Sequence, residues 1–335
     1  LPARVSRLVT ATPTALALLV LFAVMAGASV REKSVAFDEM AHLTAGYSYW
    51  MTGDYRLDSE NGIFPQRWAA LPLLAMDLRF PPTEGTAWWN SIIWEMGAQF
   101  FYGQGNDLDA MLWRGRLMIV LLAVLLGWVV YVWSRGLFGT AGGLISLTAF
   151  VFSPTVLAHG RLITSDMAAA LMFTAALGCF WLVLHRPGVA RLLLSALALG
   201  VLFTAKMSSA IIVPVLLLLA VIRVAGGQPL VTRWGGRTVI RGRSRLAAVS
   251  AGVMLVHAVV AVAVIWGLYG FRYPAFRTSQ PGRDWLPGGD LITPFAPDTA
   301  LGDFVRFTRD HRLLPEAYLH GHLFTVVRSR TRTAF

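Results

Sequence analysis

Asp38 and Glu39 are adjacent carboxylates, and His42 follows Asp38 by one helical turn, within Ala36-Phe37-Asp38-Glu39-Met40-Ala41-His42. They come directly after the first long apolar run, a place where charge is costly unless it is used. A carboxylate facing a cavity at a membrane surface can serve as general base toward a hydroxyl or an amine. On a helix, Asp38 and Glu39 point about 100° apart and cannot enter one site equally. Asp38 and His42 share a face. Two other readings stand beside the catalytic one. Acidic residues in a first turn favour the helix dipole whatever the function. The Asp38/His42 spacing, with Glu39 nearby, also permits a divalent metal, but it is not diagnostic of one, and the expectation is no cofactor.

Further charges fall at the ends of other apolar runs. Asp166 follows Ala158-His159-Gly160-Arg161-Leu162-Ile163-Thr164-Ser165. Membrane carboxylates usually have partners, and His159 and Arg161 are nearest in sequence. A local pair capping the helix after Thr164-Ser165 explains Asp166 equally well. Lys206, in Phe203-Thr204-Ala205-Lys206, is one of two lysines in the chain. It is either a point charge for a phosphate or an ordinary snorkelling lysine.

The elements that position these residues are set by composition. Hydrophobic residues make up 56% of the 335 and charged residues 14%, and the mean hydropathy is +0.59. Seven runs approach the ~20 residues of a spanning helix: about 12–30, 117–134, 140–157, 166–184, 190–205, 208–225 and 247–268. The fifth and sixth meet at Lys206-Met207-Ser208-Ser209 as a tight hairpin. The first is long for a signal peptide, and Ala26-Gly27-Ala28 is a weak cleavage site. The single cysteine, Cys179, lies within an apolar run, so no intrachain disulfide forms.

Arginine sets the expected orientation. Arg4 and Arg7 precede the first run and place the N-terminus in the cytoplasm. Alternation then puts Arg135, Arg186, Arg191, Arg223, Arg233, Arg237, Arg241, Arg243 and Arg245 on the same side. Between 117 and 270 Asp166 is the one carboxylate; the others fall in the 31–116 loop or after 270. The net charge of +11 is thus an orientation signal suited to anionic headgroups, and not a nucleic-acid signal. The expected setting is a bacterial inner membrane, with the site on the periplasmic side.

Three parts follow: 1–116, one spanning helix and a large external loop carrying the site; 117–270, a six-helix transmembrane block; and 271–335, an external segment. The loop has three amphipathic stretches: Phe37 to Trp50, Phe64 to Phe80 interrupted by Pro72, and an aromatic one with Trp88, Trp89, Trp94, Phe100, Phe101 and Tyr102. Such aromatics favour the membrane interface, so these helices are expected to lie along the outer face and roof a cavity. Arg328-Ser329-Arg330-Thr331-Arg332-Thr333 stops without another span, the ending expected of a truncated chain. Leu1 stands where Met is expected. On this topology Asp38, Glu39, Asp166, Arg161 and Lys206 converge on one membrane–water boundary, which suits an amphiphilic, phosphate-bearing substrate.

These features together resemble the GT-C membrane glycosyltransferases that use polyprenyl-phosphate sugars, nearest the protein O-mannosyltransferases and the lipid A aminoarabinose transferases. The resemblance rests on Phe37-Asp38-Glu39-Met40-Ala41-His42, Gly53-Asp54, Leu71-Pro72-Leu73, Ser153-Pro154, Ala158-His159-Gly160-Arg161 to Asp166, Leu202-Phe203-Thr204-Ala205-Lys206 and Leu314-Pro315-Glu316-Ala317-Tyr318-Leu319. It implies an all-α multi-pass bundle of the GT-C kind. Its partners would be a polyprenyl-phosphate sugar, a lipid, glycan or protein acceptor, and membrane lipids. It implies Asp38 as base, Glu39 shaping the site, and Lys206 and Arg161 near the donor phosphate. His42, His159 and Asp166 would contact substrate. A His-Pro-Pro-Leu-like segment of many relatives is here Phe64-Pro65-Gln66-Arg67, which gives Arg67 part of the phosphate work. The later helices of those relatives have no counterpart. The rival expectation is a transporter or flippase of a lipid-linked or anionic solute, with Asp166 and Lys206 as coupling residues.

Overall fold

The computed structural model describes residues 2–30, 33–232, 238–277 and 300–331, with side chains left aside at 2–10, 300, 301 and 329–331. Arg233, Arg237 and much of the expected external C-terminal segment lie outside the described residues. Most of the described residues are helical. The first elements are α1 (Pro2–Val30), α2 (Phe37–Thr52), α3 (Ile63–Ala70), α4 (Thr86–Trp89) and α5 (Ile93–Ala98). They are followed by α6 (Leu108–Val151), α7 (Pro154–His159), α8 (Asp166–His185), α9 (Val189–Ala205) and α10 (Ile212–Ala225). A hairpin of β1 (Leu230–Thr232) and β2 (Thr238–Ile240) precedes α11 (Arg243–Leu268), α12 (Ala300–Asp310) and α13 (Glu316–Thr331).

Among the described residues, five helices are long and apolar enough to cross a membrane: Ala11–Val30, Leu108–Val151, Asp166–His185, Met207–Ala225 and Arg243–Leu268. Val189–Ala205 is apolar but shorter. The protein is an all-α membrane protein.

The chain forms two compact units. The first holds residues 1–50, 65–83 and 93–174, the second 51–64, 84–92 and 175–335.

In the first unit, α6 is not one rod. Gly139 has φ 75° and ψ −173°, a backbone state open to glycine alone. On a straight helix Gly127 and Phe150 would stand about 34 Å apart. Instead, a Cβ on Gly127 would lie 2.9 Å from the Phe150 ring, and one on Gly143 would lie 2.8 Å from the Arg135 side chain. The chain therefore reverses at Gly139, and its two limbs fall on the expected runs at 117–134 and 140–157. The second run is cut at Ser153, whose hydroxyl accepts from Val156 N and caps α7, with Pro154 as the next residue. Against this hairpin α1 turns one stripe: Ala11, Ala15, Leu19, Phe22, Ala26 and Val30 are buried. Phe22 meets Phe150 with ring centroids 5.6 Å apart. Leu16, Val20, Leu21 and Val24 stay exposed, which is the pattern of a helix whose remaining faces meet lipid.

The expectation of surface-lying helices is corrected at α2. Residues 41–49 are all buried, so this helix runs inside the protein. Small residues allow it: a Cβ on Gly46 would collide with the Gln66 carbonyl oxygen. The second amphipathic stretch becomes α3 and a 3₁₀ turn, Leu71–Ala75, that begins beside Pro72.

In the second unit, α9 and α11 pack closely where Gly200 meets Ala261 and Val264. His257 bonds Ser195 Oγ (2.8 Å) across the same seam. Small residues and one interhelical hydrogen bond are the ordinary means of joining helices in lipid. Residues 51–64 are tied down by contacts within the second unit. Ser59 Oγ meets His320 Nδ1 at 2.9 Å. Asp54 and Arg56 form a buried pair (2.7 Å) whose guanidinium lies over Trp88, Trp89 and Phe276.

Candidate active site

The two adjacent carboxylates of α2 have opposite surroundings. Glu39 is 0% exposed. Its Oε1 accepts from Arg116 Nε (2.8 Å) and from the Ile163 backbone N–H (3.0 Å). Its Oε2 accepts from Arg116 Nη2 (2.6 Å) and from the Ala36 N–H (2.9 Å). The last bond is half of a capping box, with a glutamate at the third helical position reaching back to the residue before the helix. Arg116 spends its remaining N–H groups on the carbonyls of Val30 (2.9 Å), Lys33 (2.8 Å) and Ser34 (2.8 Å). One ion pair thus ties together the end of α1, the start of α2, the first limb of α6 and the loop before α8. Glu39 has no capacity left for a substrate proton.

Asp38, one residue earlier, is exposed and makes no hydrogen bond or ion pair among the described residues. The Glu39–Arg116 clamp holds its backbone, so Asp38 is an open carboxylate on a fixed base. Phe37 stacks on Trp94 at 4.0 Å beside it.

Asp38 and His42 differ in burial. His42 is buried and its Nδ1 lies 3.4 Å from Gln66 Nε2. Among the described residues, no group of three or more His, Cys, Asp or Glu could hold a metal. Arg67 lies over the Trp50 ring at 3.9 Å, and Trp50 Nε1 donates to the Arg67 carbonyl (2.9 Å). His159 and Asp166 come together, Nδ1 to Oδ2 at 3.4 Å, and Thr164 Oγ1 donates to the same Oδ2 at 3.3 Å. Asp166 therefore pairs with His159. Arg161 is half-buried with its Nε unpartnered.

Lys206 lies in the second unit. It is the single extended residue between α9 and the 3₁₀ turn Met207–Ile211, and it is half-buried.

Arg116 was the residue the sequence hid. Its signal was position: with Arg114 it precedes an apolar run on the expected outer side, against the arginine bias. Asp54 and Arg56 form a second pair that the sequence hides. Their two-residue spacing suits a bidentate contact, with Arg56 Nε to Asp54 Oδ1 at 2.8 Å. No family model, curated protein or solved structure matches the chain.

Proposed function

We propose that this protein is a GT-C-type glycosyltransferase that moves a sugar from a polyprenyl-phosphate donor to a lipid, glycan or protein acceptor. The setting proposed is the outer face of a bacterial inner membrane. The observation that carries the reading is the contrast within α2: Glu39 is locked by Arg116, and Asp38 is held beside it, exposed and, among the described residues, unpaired. A general base needs both properties, a fixed position and an open oxygen.

In this mechanism an Asp38 oxygen takes the acceptor proton as the acceptor oxygen or nitrogen attacks the anomeric carbon. The bond from that carbon to the phosphate oxygen breaks, the electron pair leaves with the polyprenyl phosphate, and the configuration inverts. Arg161 and Arg67 are assigned to the departing phosphate as cations that favour its gathering charge. Asp166, with His159, is assigned to substrate contact.

The test is a lipid-extraction assay. Membranes containing the protein receive a polyprenyl-phosphate sugar labelled in the sugar, and the label is followed into chloroform-soluble, glycan and protein fractions. Label appearing on an acceptor supports the reading. Donor that crosses sealed vesicles with its sugar still attached would replace this reading with a transporter.

A further inference from the structure

The first unit contains a cavity of about 340 Å³ that the sugar-transfer reading does not use. Its wall includes Val30, Lys33, Asp109, Leu112, Trp113 and Arg116. Arg116 offers it no donor, because its guanidinium is spent on Glu39 and three carbonyls. The available cation is Lys33 and the available anion is Asp109. Both side chains are exposed, and among the described residues neither side chain is paired with the other or with any other group. Asp109 is not needed as a helix cap, since Asp107 Oδ1 already accepts from Ala110 N (3.0 Å). A cavity with unpaired charges of opposite sign on its wall is matched to a ligand that carries both signs.

Depth and size narrow the class. Val30 ends the Ala11–Val30 span, so the cavity stands where hydrocarbon gives way to headgroups. Leu112 and Trp113 add an apolar body with a wettable edge, as residues at that depth do. The volume is at the low end of the roughly 300–1,000 Å³ of ligand sites, enough for a headgroup and not for its chains. Trp113 is the single aromatic on the wall, and quaternary ammonium recognition relies on aromatic cages. A primary ammonium, which can donate hydrogen bonds to a carboxylate, fits Asp109 better.

We propose that this cavity binds the phosphate–primary ammonium headgroup of a membrane phospholipid, with the phosphate at Lys33 and the ammonium at Asp109.

The experiment uses the full chain, purified and delipidated, then equilibrated with mixed vesicles of phosphatidylethanolamine, phosphatidylcholine and phosphatidylglycerol. Lipid retained by the protein is quantified by mass spectrometry. Phosphatidylethanolamine should be enriched over both others. Lys33→Gln and Asp109→Asn should each cut that enrichment roughly 10-fold, the worth of one charge-assisted hydrogen bond. Both side chains are exposed, so both variants should keep the wild-type melting temperature. Soluble phosphoethanolamine should compete with the vesicle lipid. Equal retention of phosphatidylcholine, preference for phosphatidylglycerol, or full enrichment in Asp109→Asn would each overturn the proposal. Binding of soluble phosphoethanolamine with no vesicle enrichment would overturn the lipid as its source.

Discussion

Glu39 and Arg116 show how one residue can be spent so that its neighbour is available. A buried ion pair returns its desolvation cost only when every lone pair and proton is satisfied, as here. Removing one partner leaves the other charge buried and alone, at a cost of about 3–5 kcal/mol. Arg116→Met should therefore lower the unfolding temperature strongly, and Glu39→Gln should do so as well. The double variant should be more stable than the sum of the two losses predicts. Thermal unfolding of all three in detergent closes the cycle, and strict additivity would mean the pair does not act as a clamp. The sequence displayed Glu39 as a second catalytic candidate because adjacent carboxylates look alike. Its partner is 77 residues away, and nothing local specifies so long a contact.

At the scale of elements, α13 is sensitive to pH. Its His320 and His322 are both depressed by burial, each to about 4 from an ordinary 6.5. A histidine with a folded-state value below its unfolded one stays neutral in the fold and charges first in the unfolded chain. Its contribution is intact above pH 6.5 and is lost as pH falls through that value toward about 4. Burial pushes Glu60 the other way, which favours the fold as pH falls; Arg328 partly offsets that push. Comparing wild type with His320→Asn cancels the glutamate. Wild type should lose stability more steeply between pH 6.5 and 4, read by protection of α13 from proteolysis. Parallel curves would remove His320 as the cause. Elements differed in how plainly the sequence announced them. The spanning runs were legible because lipid demands long apolar stretches, and the α6 hairpin was visible as two runs around Gly139. The inward course of α2 was not. His42, Thr44 and Ser48 look solvent-facing by type, yet they are buried, and Ser48 satisfies itself on the Ala45 carbonyl (2.8 Å). The β1–β2 hairpin has strands of three residues each inside an arginine-rich loop, too short for periodicity to mark.

For the whole molecule, the proposed chemistry depends on which side of the membrane the α2 end faces. In a Cys179→Ala background, single cysteines at Gly103 and Gln228 should report it. Gly103 belongs to the stretch expected outside, and Gln228 precedes β1 among the arginines expected inside. An impermeant thiol reagent should label Gly103→Cys in intact cells and reach Gln228→Cys only after permeabilisation. Labelling of both from outside would reverse or break the topology. The arginine and carboxylate distribution was fully visible in the sequence, and it is the whole basis of this orientation.

Asp38 carries the proposed transfer, and one rate comparison tests it. Asp38→Asn keeps the helix position and the size of the side chain but cannot take a proton. Its melting temperature and its binding of the donor lipid should match wild type, because Asp38 bonds to nothing among the described residues. Its rate of sugar transfer should fall about 10²-fold or more, the usual loss when a general base is removed. A transfer rate near that of wild type, in a variant that folds and binds donor normally, would contradict the central claim.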